Sequence, residues 1–207
     1  MTAILPDSAN AARSQANLDR LLQEMLDRPE SQDQIIAEVE LTFGQRAAVL
    51  VLDMCGFSTT TRQHGIVRFM LMIFQMRISA ETAILKNGGS LIKAEADNLY
   101  CRFETVDAAV AAAIEITERL DTVNPLLPSD RRLYASIGIG FGEILFIEGR
   151  DIFGDEVNLT SKLAEDIAQR GEILLTEAAH AQLAQDIGGT PKTVAVSGLA
   201  LPYLQIR

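Results

Sequence analysis

The chain of 207 residues has no tryptophan, only two cysteines and two histidines, and few aromatic side chains, 5% in all. Cys55 and Cys101 alone make no disulfide framework, and without a CxxC motif or a histidine cluster no zinc site is expected. No apolar run approaches the roughly 18 residues that cross a bilayer. Runs such as Phe69–Phe74 are far shorter. The first residues, MTAILPDSANAARSQ, lack a basic segment followed by an apolar one, so they do not read as a signal peptide, and a cytoplasmic location is expected. Basic charge is also scarce. Lys and Arg number 18 against 28 Asp and Glu, a net charge of −10. That balance excludes a nucleic-acid surface, which needs clustered cations against phosphates. It leaves nucleotide substrates open, because Mg²⁺ held by carboxylates brings phosphates to an acidic protein.

What is present is a globular composition, 48% hydrophobic and 22% charged. Leu18, Leu21, Leu22, Met25 and Leu26 recur at helical spacing up to Pro29, and a second helix is expected from Ser31 to about Leu41. Residues 1–45 therefore read as a helical extension. It either packs on the main domain or serves as a dimerising or signal-relaying segment. Residues 46–207 read as one α+β domain. A buried strand at Ala47–Leu52 is followed by a helix from about Thr59 to Lys86, stopped by Asn87-Gly-Gly89. Two strands, Ser90–Glu95 and Asn98–Phe103, flank a tight turn at Ala96-Asp97, and a helix from Thr105 to about Val123 follows. Arg132–Phe141 and Glu143–Glu148 read as a second hairpin turning at Gly142. Helical signals resume at Glu156–Ile167, then short elements at Ile173–Thr176, Glu177–Ala184, Val194–Val196 and Tyr203–Ile206 close the chain. The order β-α-β-β-α-β predicts a ferredoxin-like sheet of the split βαβ type, with helices on one face and the other free for a ligand or partner.

Several polar residues stand where chemistry is done. Asp53 follows a buried strand at a turn through Met54, Cys55 and Gly56, a position equally suited to metal binding and to turn capping. Asp97 lies in a turn between two strands, and the same two readings apply. On adjacent central strands the two would together clamp a phosphoryl group through divalent ions. Strand alternation places Lys93 and Glu95 on one face, with Ile92 and Ala94 on the other. The stretch Asp151-Ile-Phe-Gly-Asp-Glu-Val-Asn158-Leu-Thr-Ser-Lys162 is the most distinctive in the chain. Its Asn158 and Lys162 are four apart and share a helix face.

Taken together, four spaced segments resemble the class III nucleotidyl cyclase catalytic domains. Asp53-Met-Cys-Gly-Phe-Ser58 is similar to the first metal motif, and Leu91-Ile-Lys93-Ala-Glu-Ala-Asp97-Asn-Leu-Tyr100 to the segment with the base-selecting lysine and second metal aspartate. Ile137-Gly-Ile-Gly-Phe-Gly142 resembles the glycine-bearing strand, and Asp151–Lys162 the segment ending in Val-Asn-x-x-Ser-Arg. The resemblance implies a homodimer with two sites at its interface, acting on ATP to give cyclic AMP and pyrophosphate. It implies two Mg²⁺ or Mn²⁺ ions at Asp53, Met54 and Asp97, with Gly56, Phe57 and Ser58 against the substrate. Lys93 and Asp151 match the adenine-reading pair, contributed by the partner chain, and Asn158 the residue that orients the ribose. Some positions depart from the pattern. Lys162 replaces an arginine, Leu199 stands near the place of a phosphate-contacting lysine, and the segment Gly142–Gly154 is short. Glu95 and Ala96 replace an apolar residue and a glycine. These departures leave two other readings in view, a cyclase-like nucleotide-binding or dimerisation module with little turnover, and a cyclase for GTP or a pyrimidine nucleotide.

Overall fold

A computed structural model describes residues 12–56, 65–196 and 199–207. Helix α1, Gln15–Asp27, is capped by Ser14, whose hydroxyl accepts from the Asn17 N–H. Pro29 opens a 3₁₀ turn, Pro29–Ser31, that reverses the chain into α2, Gln32–Phe43. The apolar stripes of α1 and α2 meet each other and the strand end at Ile147, burying Leu21, Ile35, Val39 and Phe43. Arg13 fastens the joint. Its carbonyl accepts from Glu148 N–H at 3.0 Å, and its Nε donates to the Thr42 carbonyl at 2.9 Å. The two N-terminal helices are thus packed on the main sheet.

That sheet is built from β1 (Gly44–Met54), β2 (Ser90–Glu95), β3 (Asn98–Phe103), β4 (Ala135–Ile147), β5 (Asp151–Phe153), β6 (Ile173–Thr176), β7 (Thr190–Val196) and β8 (Leu199–Gln205). The helices α3 (Ile66–Lys86), α4 (Val106–Val123), α5 (Asp155–Lys162) and α6 (Glu177–His180) connect them. The strand order is β2-β3-β1-β4-β6-β8-β7, with β5 beside β4. The expected βαββαβ core is present as β1-α3-β2-β3-α4-β4, with β3 inserted between the parallel pair β1 and β2. Alternation along β1 divides the interior. Ala48, Leu50 and Leu52 face Phe69, Met76 and Ile84 of α3 and Val110 and Ile116 of α4. Ala47, Val49 and Val51 face the other way, toward Val157 of α5 and Ala164. The two long helices therefore share one face. On the other, α5 and the π-helical turn Leu163–Ile167 after it cover part of the sheet.

Two details differ from the expectation, and a third is not tested. The expected start of α3 at Thr59 lies outside the described residues; the helix is described from Ile66. Gly142 is not a turn. Strand β4 runs unbroken through it for 13 residues because β1 offers a full-length partner, pairing Ala47 with Gly142 and Gly44 with Leu145. The hairpin comes later, where Glu148-Gly-Arg150 links β4 to β5. The glycine answers a close approach instead, since a Cβ there would meet the Glu156 side chain at 3.1 Å. Finally, a bulge between Leu91 and Lys93 sets two residues against one, so Ile92 joins Lys93 on the α5 side and packs near Tyr100.

Candidate active site

Asp53 is an odd-numbered residue of β1 and so points to the α5 side of the sheet. The register puts it opposite Asn98 of β3 and Ser136 of β4. Asp97 occupies the turn immediately before Asn98, so the two carboxylates far apart in sequence are brought side by side by strand pairing. Burial pushes the Asp53 carboxyl up to about 6, helped by the charges of Asp97 and Glu165, while the Ser136 hydroxyl at 3.5 Å works the other way. Burial likewise raises Asp97. Met54, next to Asp53, buries its side chain in the core, so only its backbone carbonyl is left for an ion. Gly56 takes a φ of +99° in the turn after β1, a conformation that favours glycine. Phe57 and Ser58 lie outside the described residues.

Asp97 is held by a strained neighbour. Ala96 sits at φ +51°, the left-handed region that costs an L-residue with a side chain about 1 kcal/mol. Ala96→Gly is expected to stabilise the fold by up to about 1 kcal/mol, the relief being partly offset by a freer unfolded chain. A denaturant midpoint unchanged or lowered would show that the turn is not strained.

Across the same face lies a second cluster. Lys93 Nζ is 2.9 Å from Asp151 Oδ1 and 3.3 Å from Glu95, and 4.5 Å from the Tyr100 ring centroid. Burial works to lower the Lys93 ammonium, but hydrogen bonds and charge from Asp151 and Glu95 hold it above its usual range. Asp151 comes from β5, so the short hairpin after β4 is what delivers it to β2. The expected Lys93–Glu95 face and the Lys93–Asp151 pairing are both formed within one chain.

Helix α5 carries the third group. Its Val157 and Thr160 are buried against β4, where Gly138 and Gly140 provide the room. Asn158 is exposed and Lys162 half-buried, and Lys162 has no carboxylate partner among the described residues. Glu156 fastens the helix: Oε1 accepts from Phe141 N–H at 3.1 Å and from the Thr176 hydroxyl. Glu165, on the π turn beyond, accepts from Asn98 Nδ2 at 3.0 Å and Tyr100 OH at 3.2 Å. Sequence reasoning missed Glu165, yet 158, 162 and 165 follow i, i+4, i+7, the spacing of one helix face. It also missed Glu156, for which no local signal exists.

The same face thus presents two carboxylates at a strand end, a lysine–aspartate pair, and an asparagine and a lysine on a helix. A solved structure described as an adenylate/guanylate cyclase/hydrolase from Silicibacter pomeroyi superposes with a TM-score of 0.67 at 28% identity, covering 78% of this chain and 96% of that one. In fold and in sequence the chain is similar to the class III nucleotidyl cyclase catalytic domains. A Rhizobium meliloti (strain 1021) protein provisionally assigned as adenylate cyclase 3 is 25% identical over 134 residues, 65% of this chain; the match spans about a fifth of that protein, 22%. The adenylyl cyclase CyaB from P. aeruginosa shares the fold at a TM-score of 0.66 and 22% identity, over 79% of this chain and 96% of that one. The guanylyl cyclase Cya2 does so at 0.68 and 20%, over 78% and 91%. No protein-family model matches the chain. Among the described residues no helix is long and apolar enough to cross a membrane.

Proposed function

We propose that this domain is a class III adenylate cyclase, forming cyclic AMP and pyrophosphate from ATP as a homodimer. The observation that supports it is the presence, on one sheet face, of both the Asp53–Asp97 carboxylates and the Lys93–Asp151 pair. Adenine offers an acceptor at N1 and a donor at its 6-amino group, the complement of an ammonium beside a carboxylate. Each site would combine the carboxylates of one protomer with the base-reading pair of its partner, the arrangement that the family resemblance implies.

The carboxylates fit divalent ions. They are hard oxygen donors, and burial and mutual charge leave them in want of a cation. Mg²⁺ or Mn²⁺ would complete its shell there with phosphate oxygens and water. Asp53, Asp97 and the Met54 carbonyl would hold two such ions. Bound there, they would neutralise phosphate charge and activate the ribose 3′-hydroxyl for in-line attack. The 3′ oxygen bonds to the α-phosphorus, the bond to the bridging oxygen breaks, pyrophosphate leaves and the hydroxyl proton passes to solvent. Asn158 would hydrogen-bond the ribose, and Lys162, one turn further along α5, would bring its uncommitted charge to the transferring phosphoryl group.

Lysine there offers a compact charge rather than a planar fork. Lys162→Ala is expected to lower kcat about a hundredfold with a smaller effect on KM. Steady-state kinetics with an unaltered kcat would remove Lys162 from the mechanism.

A product assay by mass spectrometry tests the whole reading, with ATP, GTP, CTP and UTP offered in parallel with Mg²⁺ or Mn²⁺. Cyclic AMP is the expected main product. A different cyclic nucleotide would overturn the base assignment. Nucleotide binding without any product would favour a binding module, a reading supported by Lys162 in place of arginine and by the Glu95 carboxylate already resting on Lys93.

A further inference from the structure

Lys93 is shared between two carboxylates that differ in kind. Asp151 is pinned: its Oδ1 accepts from Ile152 N–H at 2.8 Å as well as from Lys93 at 2.9 Å. Glu95 sits on β2, at one end of the sheet order, with its side chain 70% exposed, and it holds Lys93 at 3.3 Å and no other group among the described residues. Strand alternation and the bulge before Lys93 turn both side chains to the same face. An ammonium has three N–H donors, and two are already directed at these carboxylates.

A purine that engages the remaining donor through N1 must enter between its two acceptor neighbours. On one side of N1 is the 6-substituent, which Asp151 meets when it is an amino group. On the other side is position 2. There Glu95 is the group at hand. Against a hydrogen on C2 its carboxylate gains nothing and gives up water; against a 2-amino group it accepts a charge-assisted hydrogen bond. We propose that Glu95 is a specificity-determining residue that reads position 2 of the purine, so that the site favours a 2-amino-substituted adenine nucleotide over adenine itself. The set Asp151, Lys93, Glu95 is acceptor, donor, acceptor, and 2,6-diaminopurine presents the matching donor, acceptor, donor edge. This rests on the reading of Lys93 and Asp151 as the base-binding pair.

The test compares ATP with the ribonucleoside triphosphate of 2,6-diaminopurine, in the native protein, Glu95→Ala and Glu95→Gln. Binding by titration calorimetry and turnover by product assay are both read, with Mg²⁺ present. The native protein is expected to favour the 2-amino nucleotide by about tenfold in Kd and KM, the gain of one hydrogen bond to an exposed charged group. The ratio should fall to near one in Glu95→Ala and lie between in Glu95→Gln. A native ratio near one, or a ratio that substitution at 95 leaves unmoved, overturns the proposal. Because binding is read apart from turnover, a Glu95-dependent binding ratio without product would uphold the proposal and overturn the cyclase reading. Product formation with a ratio indifferent to residue 95 would do the reverse, and absence of binding by either nucleotide would overturn both. Glu95 is largely exposed, so the variants are expected to fold, which circular dichroism checks.

Discussion

Asp53→Asn is expected to lower turnover by at least about a thousandfold and, in the same molecule, to raise the melting temperature at pH 7. The first effect follows from removing a charged oxygen ligand whose ions act on the attacking hydroxyl. The second follows from the sign of the Asp53 shift. Its carboxyl titrates near 6 in the folded, ion-free protein, against a value near 4 when unfolded. Between those values the folded state binds more protons, so stability falls as pH rises from about 4 to about 6, and the cost is fully present at pH 7. Because the group is only partly buried, the cost is screened to about 1 kcal/mol, or about 3 °C for a chain of this size. Asparagine removes the charge while keeping the shape. Differential scanning calorimetry in EDTA from pH 4 to 7 reads this directly, and Mg²⁺ or Mn²⁺ should raise the melting temperature of the native protein but not of the variant. A variant that still cyclises ATP would sink the ion assignment, and one that melts lower at pH 7 would sink the electrostatic account.

Gly138→Ala is expected to destabilise the fold by about 2–3 kcal/mol and to cut kcat sharply, although the residue touches no substrate. Its new Cβ would press inside contact distance of the Thr160 carbonyl and reach the Ala164 N–H at 3.1 Å, both backbone groups of the segment that carries Asn158, Lys162 and Glu165. Backbone cannot swing away, so α5 must lift from the sheet. Gly142→Ala is the control. There the nearest atom is Glu156 Cβ at 3.1 Å, which has to give by only a few tenths of an ångström, and a loss below about 1 kcal/mol is expected. Urea denaturation and steady-state kinetics on the two variants separate the cases. Equal behaviour would show that α5 is not seated by the close approach over β4.

The composition and local patterns of this chain determined the α+β class, the βαββαβ order, the turn at Ala96-Asp97 and the helix over 106–123, because each depends on neighbours a few residues apart. Alternating apolar residues and Asn87-Gly-Gly89 are local signals with local consequences. The motif residues Asp53, Lys93, Asp97, Asp151, Asn158 and Lys162 were likewise legible, as types at spacings that resemble a family.

Only the tertiary structure decided how they meet. Gly142 reads as a turn by itself and becomes mid-strand because β1 is long enough to pair past it. The bulge at Leu91–Lys93, which turns Ile92 to the site, is a property of two strands and not of one. Glu156 and Glu165 gain their partners, Phe141, Thr176, Asn98 and Tyr100, from strands distant in sequence. The N-terminal helices were amphipathic in sequence, but that their stripes would close on Ile147 depended on where β4 ends. Local pattern selects an element. Register, close approach and the charge carried by a carboxylate are set by long-range pairing and burial, which no stretch of chain encodes alone.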